Sequence, residues 1–411
     1  REKKFGQNSL MWAAGSPEIV RMLIDAGADV QVTTNVWDVK ATIPGSSFRT
    51  VGATGVPWVF QGDYVSKKGG QNALMFAVQK RNVDSARILL DAGLDVNSAS
   101  ADKTTPLLLA VYKWESADGR SVAFSPDLAM ATLLLDRGAA IKVADTQGYT
   151  PLHGAVLAAS NLVARASRNT RGGRAGGAGA AARGGAVGGR GVTAASPSRA
   201  EWMQVVNRLL DGGADPNAAV IYPTTGATGA RLNPPPGGST PLHIATVASD
   251  VELVQLLSAR GANPNAIRKD GLSSLALAVQ ADNVDVVKAL VAAGVDLRQR
   301  YNPSTLVADP VEALALVRHN QTIMHIAALA ASAKSIEYLF SLGVPMTETN
   351  AEGETPLEVA ENQEVFQYVL AYEGTGAGGG TWRPRDFATS DTIKRLLNLP
   401  TLASYSDGLV R

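Results

Sequence analysis

The chain has 411 residues, 38 Lys and Arg against 37 Asp and Glu, a formal net charge of +1, and no cysteine. That balance excludes a uniformly basic nucleic-acid coat or an acidic tail, and the missing thiols exclude disulfides, thiolate metal sites and cysteine nucleophiles. No apolar run approaches the roughly 18 to 20 residues of a membrane span, no signal-peptide pattern follows Arg1, and the compartment is left open, since a chain without cysteine tolerates reducing or oxidising surroundings.

In chain order, the first predicted elements lie in "NSLMWAAGSPEIVRMLIDAGADV" (8–30), two short apolar helices closed by a glycine turn. Residues 33–69 interrupt with Gly, Pro, Ser and Thr, and with the aromatics Trp37, Phe48, Trp58, Phe60 and Tyr64. The helical pattern returns in "NALMFAVQKRNVDSARILLDAGLDVN" (72–97), where Gly93 closes the second helix. It returns again in "TTPLLLAV" with "DLAMATLLLDRGAA", parted by an insertion at 112–126 that carries Tyr112 and Trp114. "YTPLHGAV", with Thr150, Pro151 and His153, pairs with "EWMQVVNRLLDGGADPN" across a longer insertion at 158–199. A third interruption at 219–237 leads to "STPLHIATVASDVELVQLLSARGANPNAIRKDG" and then directly to "LSSLALAVQADNVDVVKALVAAGVDLRQR", whose stop glycines Gly261 and Gly294 stand 33 residues apart. After 298–319 come "QTIMHIAALAASAKSIEYLFSLGVP" with His325, a weaker copy "ETPLEVAENQEVFQYVLAY", a glycine linker at 374–380, and "WRPRDFATSDTIKRLLNL" within 381–411.

The physics of one unit is plain in "STPLHIAT". Thr240 is placed to cap a helix, Pro241 supplies the fixed φ of a first turn, and Leu242, Ile244 and Ala245 face inward. His243 follows in the same turn. In "VELVQLLSARGA" the residues Val251, Leu253, Val254, Leu256 and Leu257 form one stripe at helical spacing, and Gly261 ends the helix in a left-handed turn. One such pair has two apolar faces and nothing to cover them, so neighbouring pairs must stack, each buried Leu, Val or Ile contributing roughly 1.5 to 3 kcal/mol.

The period, the TPLH phrase, the leucine-rich second helix and the GAD turn resemble the ankyrin repeat family over most of the chain. The resemblance implies an all-α ankyrin-repeat solenoid of about eight helix-turn-helix repeats over 1–373, with long loop insertions and a C-terminal capping helix in 381–411. It assigns His153, His243 and His325 to hydrogen bonds at helix starts and turns, and it places three insertions (33–69, 219–237 and 298–319) on the finger side, where partners of this family usually dock. The insertions at 112–126 and 158–199 fall between paired helices on the opposite edge. No polar cap precedes Leu10, Met11 and Trp12, so the chain is expected to begin inside a longer array or to have these residues covered by another surface. The excess of arginine over lysine, with abundant Ala and Gly, suits a bacterial chain from a GC-rich genome.

Between Arg165 and Arg199 stand Arg165, Arg168, Arg171, Arg174, Arg183, Arg190 and Arg199 without one acid, leaving the rest of the molecule at −6. Three readings are open for this loop. It is a solvated linker, since lengthening a connection from about 5 to about 40 residues costs on the order of 2 kcal/mol of closure entropy; or it binds RNA or another polyanion; or it docks on an acidic protein surface. The aromatics Trp37, Phe48, Trp58, Phe60, Tyr64, Tyr112 and Trp114 have two readings, as a satellite core packed on the solenoid or as exposed anchors for a partner.

The search for chemistry finds no constellation. His319 is alone in a loop, and four histidines without cysteine offer no zinc spacing. "DVNSASADK" fails as a calcium loop because Ala99 and Ser100 stand where a ligand and the obligatory glycine belong. "GTGAGGG" lacks the strand and helix of a dinucleotide loop. The expectation is a non-enzymatic scaffold without cofactor or metal, binding a protein partner through finger loops and the concave surface. The rival readings are a structural subunit of a larger complex or filament and a polyanion-binding adaptor.

Overall fold

The computed structural model describes residues 2–41, 64–112, 114–116, 122–124, 126–160, 198–221, 237–302, 320–362 and 388–399. The chain divides into two compact units, Arg1–Arg49 with Val56–Pro234, and Thr50–Gly55 with Pro235–Arg411.

In the first unit the helices come in pairs. These are α1 (Ser9–Ala13) with α2 (Pro17–Asp25), α3 (Ala73–Gln79) with α4 (Val83–Asp91), α5 (Pro106–Val111) with α6 (Leu128–Asp136), and α7 (Pro151–Ala159) with α8 (Arg199–Asp211). Within each pair the two helices pack together, and the pairs then stack in two rows. First helices run α1–α3–α5–α7, and second helices run α2–α4–α6–α8. The second unit repeats the plan with α9 (Pro241–Val247) and α10 (Val251–Ala259), α11 (Ser274–Gln280) and α12 (Val284–Ala292), and α13 (Ile323–Leu329) and α14 (Ala333–Ser341). A helical stretch at 356–362 follows, and α15 (Ala388–Leu396) lies against α14 with Ile393 buried. This is the all-α repeat solenoid expected from the pattern.

The core is the shared surface between pairs. Leu242 and Ala245 of α9 and Leu253, Val254 and Leu257 of α10 are buried, while Val251 and Leu256 at the margin of the stripe are half-buried. Leu10 and Met11 are buried as well, because α1 packs on both α2 and α3. This corrects the expectation that they need another surface: only Trp12 of that trio stays open, at 70% exposure.

Successive turns are tied by backbone bonds as well as by side chains. Ala101 N–H donates to Gly69 O (2.9 Å), Thr146 to Asp102 O (3.0 Å), and Ile221 to Gln147 O (2.7 Å) in the first unit; Lys269 donates to Gly237 O (2.8 Å) in the second. The approach at Gly148 is so close that a Cβ there would lie 2.6 Å from Ala219 O, at a φ of +83° that already favours glycine. Gly261 and Gly294 differ: nothing lies within 4 Å of a Cβ built there, so the positive φ alone calls for glycine.

Two insertions contain strands that the loop reading did not foresee. At 33–69, β1 (Val36–Ala41) pairs antiparallel with β2 (Tyr64–Gly69), Trp37 opposite Lys68 and Asp38 opposite Lys67. At 112–126, β3 (Trp114–Ser116) pairs with β4 (Val122–Phe124), Trp114 opposite Phe124. Alternation in "VWDVKA", with β-branched and aromatic residues, is the signal that supports the first ladder.

Candidate functional site

The histidine phrase builds a cap that spans two repeats. Thr240 N–H donates to His243 Nδ1 at 3.1 Å, with the Thr240 hydroxyl 2.9 Å from the same nitrogen. Thr150 and His153 make the same pair at 3.2 and 2.8 Å, and Thr322 and His325 at 3.2 and 2.7 Å. Because Nδ1 accepts a backbone N–H, the ring hydrogen belongs on Nε2. In His243 that atom reaches Ala266 O (3.1 Å), and in His325 it reaches Glu354 O (2.8 Å), each on the next turn. All three rings are buried. In the weak copy Glu358 replaces the histidine and closes the same box, accepting from Thr355 N–H at 2.7 Å and the hydroxyl at 2.8 Å. These side chains hold helix starts and turns together; their arrangement offers no nucleophile and base.

Above the caps lies the finger edge. Lys68 of β2 donates to Asp102 at 2.7 Å, and Ser100 hydrogen-bonds the other carboxylate oxygen. Burial alone would raise the Asp102 carboxyl, but the hydrogen bonds from Lys68 and Ser100 prevail and hold it below the usual range. Asp145, one finger on, moves the other way. Its burial outweighs the N–H groups of Tyr149 and Gln147 that it accepts, and the charge of Asp102 adds to the rise. In the second unit Tyr301 is fully buried with its hydroxyl 3.0 Å from Ser273 Oγ, and burial pushes the phenol up to about 12.

The aromatic candidates separate. Trp37 is 39% exposed, with its ring 5.5 Å from that of Phe5, and Lys4 Nζ stands 5.0 Å from the Phe5 centroid. Tyr112 instead turns inward, stacking on Tyr149 at 4.4 Å beside Leu108 and Val220. Tyr64 opens β2 opposite Ala41, and Trp114 is paired through its backbone with Phe124. Phe48, Trp58 and Phe60 lie outside the described residues, as do His319 and Arg165, Arg168, Arg171, Arg174, Arg183 and Arg190. Arg199 is the first residue of α8 and half-buried. Sequence reasoning passed over Val36, Ile221 and Ile267, apolar finger residues each about half open to solvent. The pattern that could have found them is an apolar residue at a turn position that the repeat ordinarily fills with a polar one.

Two depressions lie between adjacent second helices. One of about 260 Å³ is bordered by Glu18, Arg21, Asp84, Arg87 and Asp91, and one of about 220 Å³ by Leu128, Leu135, Glu201 and Arg208. Both are open and of mixed charge, unlike the enclosed apolar pockets that hold small molecules. Among the described residues no group of three His, Asp or Glu is arranged to hold a metal, and no helix is long and apolar enough to cross a membrane.

The family model described as ankyrin repeats (3 copies) matches residues 198–301, and the single ankyrin repeat model matches residues 5–35 and 69–101. Among curated proteins the chain is 26% identical over 193 residues to the human SH3 and multiple ankyrin repeat domains protein 2, covering 42% of this chain and 10% of that protein. It is 28% identical over 176 residues to the bovine mitochondrial disaggregase, covering 43% of this chain and 22% of that protein. The matches thus span a small part of either relative. Solved structures similar to it include the human ASB11 ankyrin repeat domain, with a TM-score of 0.42 at 19% identity over 82% of this chain and 97% of that one. The Bcl-3 ankyrin repeat domain gives 0.43 at 19% identity over 82% of this chain and all of that one.

Proposed function

The chain is a member of the ankyrin repeat family, and from that membership we propose that it is a non-catalytic scaffold that holds a protein partner along its finger edge. One observation carries the choice of surface. The turn-to-turn backbone bonds make each unit's finger edge a tied row, and on it Val36, Trp37 and Ile221 in the first unit, and Ile267 in the second, are exposed apolar side chains. A surface tied in this way loses little ordering entropy on binding, so apolar anchors on it convert efficiently into affinity. Aromatic anchors such as Trp37 are the residue type on which interface energy concentrates.

The test is a pull-down from the native source with the full chain, repeated with Trp37→Ala and with 33–69 replaced by a short turn, followed by titration of each recovered protein. The expected result is loss of one partner by at least about 10-fold in Kd with Trp37→Ala and unchanged thermal melting. Recovery of the same proteins with undiminished affinity by both variants would remove the first finger from the reading. The polyanion alternative is separated by salt. If seven arginines met single-stranded phosphates, the log-log slope of binding would approach about −5, whereas protein docking on the fingers has no such slope.

A further inference from the structure

The β1–β2 hairpin is a two-stranded ribbon, and among the described residues no third strand lies along it. Such a ribbon is marginal in water without a further strand, and an edge strand with unpaired backbone groups is a template for another. The rim of this one is apolar where it leaves the repeats: Val36 is 56% and Trp37 39% exposed. The N-terminal segment meets the ribbon at its root, where Asn35 N–H donates to Phe5 O at 2.7 Å and the Phe5 ring stands 5.5 Å from that of Trp37; beyond Trp37 no contact of that segment with β1 is seen among the described residues.

The charge pattern of β1 singles out an occupant. The strand reads V-W-D-V-K-A, with Asp38 and Lys40 symmetric about Val39. An antiparallel copy of the same strand, centred on Val39, sets Asp38 of each chain at the register position of Lys40 of the other. Within its own hairpin Asp38 is already opposite Lys67, so in the four-stranded sheet Asp38 holds a register position between two lysines. A register slipped by one residue loses both matches.

We propose that a second copy of this chain docks here, β1 against β1, antiparallel about a two-fold axis at Val39. The contact is isologous and closes as a dimer. It does not rest on the partner proposed above, and loss of that partner would leave it standing.

The absence of cysteine from the chain makes the test clean. In the full-length chain Val39→Cys is expected to form a cross-linked dimer under mild oxidation, because its twin is directly opposite. Ser66→Cys on β2, opposite Val39 within one hairpin but remote from its own twin, is expected not to. By sedimentation equilibrium, Asp38→Lys alone and Lys40→Asp alone each replace two attractions by two repulsions and should weaken the dimer about 10- to 30-fold. An equimolar mixture of the two restores both matches in every heterodimer, and dimer should return. Circular dichroism of each variant should show the repeat helices intact, since they are built without this ribbon. A wild-type monomer at high micromolar concentration, wild-type dimerisation by the charge variants, or no rescue on mixing would each overturn the proposal.

Discussion

The repeat formed by α9 and α10 and the repeat formed by α7 and α8 start from the same phrase and meet different demands. Both open on a Thr–Pro–Leu–His cap and end on a left-handed glycine, but a single tight turn joins the first pair and the insertion at 158–199 parts the second. The interrupted pair is longer. α7 has nine residues where α9 has seven, and α8 has 13 where α10 has nine. The added residues include the buried Ala159 and Trp202, and Ser198 opens α8 with its own box, its N–H donating to Glu201 at 2.7 Å. A long loop costs on the order of 2 kcal/mol to close, and one additional buried apolar side chain offsets that. Lengthened helices thus accompany the long interruption at 158–199, whereas α5 and α6, parted by the shorter insertion at 112–126, keep six and nine residues.

The sharpest way to break this link is Trp202→Ala. If the added turns hold the interrupted repeat, this loses about 3 to 5 kcal/mol in urea unfolding, and amide exchange should quicken in α7 and α8 while α9 and α10 keep their protection. A loss below about 1 kcal/mol would show that the longer helices are incidental. Next come the shared caps. Thr150→Ala and Thr240→Ala should cost the same, about 1 to 2 kcal/mol each, and a markedly larger cost at Thr150 would mean that the insertion leans on its cap.

Asp145 sharpens the contrast through pH. Its folded-state pKa is raised by burial, so the ionised form carries a penalty at neutral pH, present above the folded value and relieved as pH falls through it. Asp145→Asn keeps an acceptor for the N–H groups of Gln147 and Tyr149 without the charge. It should raise Tm slightly at pH 7, the gain fading as pH falls through the raised folded-state value and vanishing below that of the unfolded carboxyl. An unchanged difference across pH 3 to 7 would remove the electrostatic account. The smallest effect is expected at Arg208, which pairs with Asp136 at 2.6 Å on the exposed side of α8 and α6. Arg208→Ala should cost about 0.2 to 1 kcal/mol and less at high salt.

Much of the fold was legible because its signals are local. Thr240, Pro241 and Gly261 act within their own turns, and a cap or a left-handed stop needs no knowledge of the neighbours. The stripe Leu253, Val254 and Leu257 announced a buried face for the same reason. The hairpin escaped because Gly, Pro and Ser dominate 33–69, and the alternation in "VWDVKA" spans only one short strand. Leu10 and Met11 were misjudged because their cover comes from α2 and α3, and α3 lies across an insertion whose length hid the contact.

The candidate surface was less legible. Trp37 and Tyr112 are both aromatics in insertions, and nothing in their neighbourhoods along the chain tells that one meets solvent and the other stacks on Tyr149. Residue types and period alone determined that this protein is built of stacked helix pairs, since helix caps, stops and apolar stripes are properties of short segments. Tertiary structure decided which side chains the row leaves open, which carboxylates shift and in which direction, and where Nε2 of His243 and His325 finds its acceptor. Burial and charge depend on distances through space, and the next repeat supplies them from 23 to 29 residues away along the chain.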